Sequence, residues 1–378
     1  MEIYIVKAND TVDLIAKQFE VTTEVIIFDN QLIAPYELAV GQALYINKGE
    51  MERNRSIFTN GYAYPFISTY VLKETLPYLT WLSVFSYGFT GEGELLSPLW
   101  DDVPMIKSAI EFGVIPALTL TPFGPNGAFS NELISAIVNN ESAIQRLIEE
   151  LLSMMSTKGF KALDIDFEYI KKEDREAFVA FVTKITAAMN EKGYQVSVAL
   201  APKTSKDQTG LLYEGKDYEA LGKVANQVLI MTYEWGYTYG PPMAVSPIPS
   251  VKKVLDYAVT AIPKEKITMG IPNYGYDWPL PFEKGTTKAK TIGNVEAVRL
   301  AIKYGVPIQF DEESQSPFFQ YTEDNVIHEV WFEDARSIQA KLNLIEEYGI
   351  KGAGYWQIMQ LFRVNWLVTE ARYKIEKQ

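Results

Sequence analysis

The chain has 378 residues, 47% of them hydrophobic and 22% charged, which suits one large globular domain with a small companion. It has no cysteine and one histidine, His328, so disulfides, thiol nucleophiles and multi-histidine metal centres are excluded, and neither a metal nor a cofactor is expected. The formal net charge of −13 argues against nucleic acid and anionic membrane surfaces as partners, and no apolar run is long enough to read as a membrane span. No basic stretch followed by an apolar one opens the chain, so no signal peptide is read there.

Residues 1–48 read as a strand–helix–helix–strand unit. The strand Ile3-Tyr4-Ile5-Val6 leads to Asp10, an expected helix N-cap, with Val12, Ile15, Ala16 and Phe19 at helical spacing behind it. Thr22 or Thr23 caps a second helix, Asn30 ends it, and Ala43-Leu44-Tyr45-Ile46 closes the unit. Tyr4-x-Val6, Asp10-Thr11-Val12, Ile15-Ala16, Asn30 and Gly41-Gln42-x-Leu44 together resemble a LysM module. That resemblance implies binding of N-acetylglucosamine units of peptidoglycan or chitin, and assigns sugar contacts to Asp10, Thr11, Asn30 and Ile33.

Residues 49–55 are polar and read as a linker. From residue 56 to 378, apolar strands alternate with amphipathic helices. Strand-like runs begin near Ser56, Trp81, Val114, Ala162, Gln195, Val228, Ile267 and Gly352. Helical spacing follows at Ala143–Met155, Arg175–Met189 and Ala335–Tyr348. Eight strands in this alternation predict an α/β fold, a (β/α)8 TIM barrel. A doubly wound sheet is the weaker reading, because no G-x-G-x-x-G loop occurs. Extra strand-like pieces around Ile308–Phe310 and Phe318–Tyr321 predict a small α+β insertion at about 279–332, before the last strand. His328 lies in one of these runs and reads as structural.

The run Asp164-Ile165-Asp166-Phe167-Glu168 makes chemical sense only as a strand. Side chains alternate along a strand, so the three acids share one face and the apolar residues the other. In a barrel, Glu168 sits at the strand's C-terminal end, where active sites form, with Asp166 and Asp164 progressively deeper. Like charges held together disfavour ionisation, so Asp164 and Asp166 are expected to share a proton and Glu168 to have a raised pKa suited to a general acid. Other strand ends bring Tyr62, the run Met231 to Trp235, the run Asn273 to Trp278, and Trp356 to the same rim. Their rings suit the apolar face and hydroxyl edge of a sugar.

With these landmarks in order, residues 56–378 resemble family 18 glycoside hydrolases. Asp164-x-Asp166-x-Glu168 matches the family's D-x-D-x-E, and Met231-x-Tyr233 and Trp356 match two further marks. With the LysM module, the likeness is to spore cortex-lytic N-acetylglucosaminidases. The resemblance implies substrate-assisted retaining hydrolysis. Glu168 would protonate the leaving oxygen and the substrate's 2-acetamido carbonyl would attack the anomeric carbon. Asp166, backed by Asp164, would orient the acetamido group, Tyr233 would bond its carbonyl, and Trp356 would floor the sugar. Tyr62, Glu234, Asn273 and Tyr274 are further candidates for substrate contact. Two positions depart from the pattern: Lys161 stands where the motif's first acid belongs, and Glu234 where aspartate is common.

The expected function is a peptidoglycan hydrolase, a retaining N-acetylglucosaminidase. A chitinase is the alternative, and a sugar-binding lectin is disfavoured because Glu168 is present. The expected partner is peptidoglycan or another GlcNAc-containing polysaccharide, acted on by a monomer associated with spore coat, cortex or cell wall.

Overall fold

The computed structural model describes residues 1–49, 53, 55–124 and 127–377. Of the expected linker, Glu50, Met51, Glu52 and Asn54 lie outside the described residues.

Eight parallel strands close into a barrel: Ser56–Ala63, Trp81–Phe89, Ile115–Leu120, Ala162–Ile165, Gln195–Leu200, Gln227–Ile230, Ile267–Pro272 and Gly352–Trp356. Closure comes where the last strand pairs with the first, Gly352 opposite Phe58, and the first with the second, Asn60 opposite Trp81. All eight strands begin within a residue of their expected starts, because burial on both faces makes them short apolar runs. The expected helices form as Glu141–Lys158, Arg175–Glu191 and Ala335–Tyr348.

Alternation sorts each strand into two environments. Outward residues such as Leu82, Val84, Leu163, Ile165, Val196 and Val198 meet the helices in one continuous apolar core. Inward residues fill the barrel in layers. Phe58, Trp81, Ala117 and Ala162 form an apolar floor. Above it lies a polar layer, in which Ser83 Oγ donates to Asn60 Oδ1 at 3.0 Å beside buried Thr119, Asp164 and Ser197. Tyr62, Phe85, Ala199 and Leu229 make the top layer, against which Trp356 rests. Non-proline cis peptides occur at Phe85–Ser86 and Trp356–Gln357, both at this rim.

Between the seventh and eighth barrel strands, a five-stranded antiparallel sheet and the helix Asn294–Lys303 stand on the rim. The sheet begins at Gly275, so Tyr276, Asp277 and Trp278 belong to it. His328 Nδ1 lies 2.8 Å from Asp277 Oδ1 and its ring stacks on Tyr321, a packing role.

The N-terminal unit pairs Glu2–Ile5 with Ala43–Ile46 around the helices Val12–Phe19 and Thr23–Asp29. Its first helix is capped by Thr11, whose Oγ1 accepts from Leu14 N–H at 3.2 Å, and not by Asp10 as expected. Asp10 instead accepts from Lys7 N–H and Tyr4 Oη, both at 2.7 Å, because its carboxylate is drawn into the preceding turn. The unit is docked on the barrel. Arg363 Nη1 donates to the Phe28 carbonyl at 3.0 Å with its guanidinium over the Phe28 ring, and Gln31 Nε2 donates to the Leu361 carbonyl at 3.1 Å.

Candidate active site

The fourth barrel strand runs on into Asp166, whose N–H donates to the Leu120 carbonyl at 3.0 Å. Asp164, Asp166 and Glu168 therefore climb the barrel interior, while Phe167 is locked outside among Phe89, Phe178 and Phe181. Asp164 is fully buried, and its Oδ2 accepts from Tyr62 Oη at 3.0 Å. Burial pushes its pKa up to about 7, against the opposing pull of hydrogen bonds from Tyr62 and Ser197.

Asp166 is also buried, and its Oδ1 has no protein partner among the described residues. Burial, then the charges of Glu168 and Asp164, hold its pKa well above the carboxylate range. Glu168 is half-buried at the mouth. Burial raises it too; the Lys216 ammonium opposes that, and Glu234 adds to it. A carboxyl that keeps its proton is what a general acid requires.

Lys216 carries no motif and was not among the expected site residues. It is 1% exposed, and its Nζ donates to the Ala199 carbonyl at 3.4 Å. The register that sets Asp164 opposite Ser197 brings Ala199 level with Asp166. The loop carrying Lys216 is fixed from both sides. Lys203 Nζ donates to the Lys216 carbonyl at 3.1 Å, and Gly215 lies so close to the segment after Glu168 that a Cβ there would sit 2.3 Å from the Ile170 carbonyl oxygen. Burial lowers the Lys216 pKa while Glu168 and Asp166 push it back up.

Across the mouth, Tyr233 lies three residues past the end of the sixth strand. Burial and the nearby carboxylates keep its phenol protonated, hence a donor. Room for the ring comes from Gly270 on the neighbouring strand, where a Cβ would lie 2.6 Å from Tyr233 Cε1. Glu234 has a left-handed φ of 68°, which turns its carboxylate onto Tyr274 and Tyr276; the Tyr276 hydroxyl donates to it at 2.9 Å. Trp356 stands edge-on to Phe85 at 4.8 Å and near Tyr62 and Tyr64, forming an aromatic wall.

Residues 124–360 match the family described as glycosyl hydrolases family 18, and residues 4–47 match the LysM domain. The chain is 38% identical to the cortical fragment-lytic enzyme of Bacillus subtilis (strain 168), over 100% of this chain and 99% of that one. It is 41% identical to the cortical fragment-lytic enzyme of Bacillus anthracis, over 89% of this chain and 78% of that one. The solved structure of the Bacillus megaterium QM B1551 spore cortex-lytic enzyme SleL superposes with a TM-score of 0.93 at 36% identity, covering 100% of this chain and 99% of that one.

This chain is a family 18 glycoside hydrolase.

In this family 18 barrel, the residues expected at the site fall into groups. Asp166, Glu168, Tyr233, Glu234 and Trp356 converge on the rim, with Asp164 one layer deeper beneath Asp166. Tyr62 and Asn273 stand behind it. Tyr62 is 2% exposed with its hydroxyl committed to Asp164. Asn273 is 4% exposed, and its Nδ2 donates at 3.0 Å to the carbonyls of Gln357 and Gln360, shaping the loop after Trp356. Tyr274 is buried and holds Glu234. Lys161, at the strand's opposite end, is exposed with its ammonium over the Tyr194 ring.

In the LysM unit, Asp10 and Thr11 line a groove. The Asn30 amide is taken up by backbone: Nδ2 donates to the Ile26 and Tyr45 carbonyls, and Oδ1 accepts from Tyr45 N–H. Ile33 faces a neighbouring cavity toward the insertion. Ser197 and Gly270 also escaped notice, since a serine or glycine in a strand reads as filler until its neighbours are placed.

Proposed function

We propose that this enzyme hydrolyses spore-cortex peptidoglycan at the bond following N-acetylglucosamine, with retention, by substrate-assisted catalysis. The relatives named as cortex-lytic enzymes support the substrate. The observation that carries the mechanism is the arrangement of carboxyls around Glu168. Asp166 lies beneath Glu168 on the same strand face, and Glu234 is held by Tyr274 and Tyr276. With Asp166 on the proton donor's own face and Glu234 engaged by two tyrosines, the substrate's 2-acetamido oxygen serves as nucleophile, in keeping with membership of family 18.

Glu168 protonates the glycosidic oxygen as the acetamido carbonyl closes on the anomeric carbon, giving an oxazolinium ion. Asp166 accepts the acetamido N–H and, with Asp164 beneath it, stabilises the developing positive charge. Tyr233 donates to the acetamido oxygen, and Trp356 supports the distorted ring. Glu168 then takes a proton from the water that opens the oxazolinium ion. The LysM unit holds the glycan strand, keeping the enzyme on cortex or cell wall.

The test is digestion of purified cortex, vegetative peptidoglycan and chitin oligomers in parallel, with product masses and anomeric configuration recorded. Muropeptides ending in reducing N-acetylglucosamine, released first as the β-anomer, are expected. Cleavage of chitin oligomers alone would make the enzyme a chitinase, and an initial α-anomer would overturn the mechanism. Glu168→Gln is expected to lower kcat by about 10³-fold with binding retained.

A further inference from the structure

The LysM groove does not stand alone. One side is built by the module itself, with Thr11, Tyr36 and Val40 on it. The facing side comes from the catalytic unit: Ile302, at the end of helix Asn294–Lys303, followed by Val306 and Pro307. Together they enclose about 820 Å³.

The two sides are held in fixed register. Ile308 N–H donates to the Val40 carbonyl at 2.8 Å, and Arg336 Nη2 donates to the Gly41 carbonyl at 3.2 Å. Gly41 has a φ of +82°, and a Cβ there would sit 1.9 Å from the Ile308 carbonyl oxygen, so the backbones touch directly. Ala39 is buried in the insertion's own apolar cluster with Ala301 and Ile308. Arg363 and Gln31 pin the module again beside the loop that follows Trp356.

We propose that the glycan site of the LysM unit is a two-unit groove whose second wall is Ile302, Val306 and Pro307 of the catalytic unit, and that it takes an N-acetylhexosamine oligomer. This rests on the reading of the LysM unit as a glycan binder. The groove's chemistry fits that occupant. The hydroxyls of Thr11 and Thr23 and the carboxylate of Asp13 line the module's side, and apolar Val306 and Pro307 line the other, a pairing that matches a sugar's hydroxyl edge and an acetamido methyl group. Because the wall is rigidly attached to the barrel, a bound strand takes one fixed position relative to the catalytic cleft.

The test is calorimetric titration of chitopentaose into the full chain carrying Glu168→Gln, which prevents turnover. Two binding events are expected, one in the cleft and one in the groove. Val306→Arg and, separately, Pro307→Arg are expected to weaken the groove event by about tenfold or more, as Tyr36→Ala does from the module's side. The cleft event is expected to persist, which establishes that each variant is folded. If Tyr36→Ala removes the groove event while both arginine variants retain it, the second wall is wrong and the LysM reading survives. If the parent shows a single event that none of the three changes, the LysM reading itself fails and takes this proposal with it.

Discussion

Tyr62 on the first barrel strand donates its hydroxyl to Asp164 on the fourth at 3.0 Å, directly beneath the proton-donor stack. The bond crosses the barrel interior and joins the aromatic layer under Trp356 to the deepest carboxyl of the site. Its loss removes the hydrogen bond that Asp164 Oδ2 accepts, and a buried acceptor deprived of a partner costs about 1–3 kcal/mol. Tyr62→Phe keeps the ring and removes only that donor. It is expected to lower kcat about tenfold with little change in KM, as measured on chitin oligomers; an unchanged kcat would confine Tyr62 to packing.

Asp164 also predicts a stability signature. Its pKa is raised to about 7 in the fold by burial, whereas an unfolded aspartate titrates near 4. Between those values the native state holds a proton that the unfolded state has released, so stability falls as pH rises through that window. The full effect is on the order of 4 kcal/mol above the window. Asp164→Asn is neutral at every pH and escapes this loss. Its melting temperature is therefore expected to rise relative to the parent by several degrees between pH 4 and pH 8. A constant difference across that range would show that Asp164 is not held protonated.

The sequence reveals what depends on periodicity and conceals what depends on who meets whom. Strand starts and the facing of Asp164, Asp166 and Glu168 follow from a period of two, which needs no partner. The roles of Tyr62 and Asn273 could not be read, because both are buried polar residues whose partners, Asp164 and the loop at Gln357–Gln360, lie more than eighty positions away in the chain. Lys216 was hidden more deeply. In Tyr213-Glu214-Gly215-Lys216-Asp217 it has the look of a solvated turn, and the contact of Gly215 with Ile170 and the bond from Lys203 to its carbonyl carry it inside. Asp10 and Thr11 are both good caps, and the choice between them was made by the turn that binds the Asp10 carboxylate.

Gly270 tests how tightly Tyr233 is placed. A methyl group at this position would lie 2.6 Å from Tyr233 Cε1 and 2.9 Å from the Ile230 carbonyl oxygen, and the backbone cannot yield. The ring must swing away from the position where it faces the acetamido group. Gly270→Ala is expected to cost about 1–3 kcal/mol of stability and about 10²-fold in kcat. Tyr233→Phe, which keeps the ring in place and loses the hydroxyl, separates the two causes. Wild-type turnover in Gly270→Ala would mean that the ring relaxes without leaving its place.

Lys216 is the cation that offsets the charge of a stack made of two buried acids, Asp164 and Asp166, and the half-buried Glu168. Its ammonium favours the ionised forms of both Asp166 and Glu168, and their negative charge in turn favours the buried ammonium. Removing it raises both acids further. The acidic limb of the kcat/KM profile reports the carboxylate that must be charged, and the basic limb the carboxyl that must be protonated. Both limbs are therefore expected to move to higher pH in Lys216→Met, with kcat at neutral pH reduced about 10²-fold. Methionine preserves the buried length of the side chain and removes a desolvated charge, so the fold is expected to hold. The profile distinguishes this role from a packing one: a loss of kcat with both limbs unmoved would mean that Lys216 shapes the loop and does not set the charge of the acids.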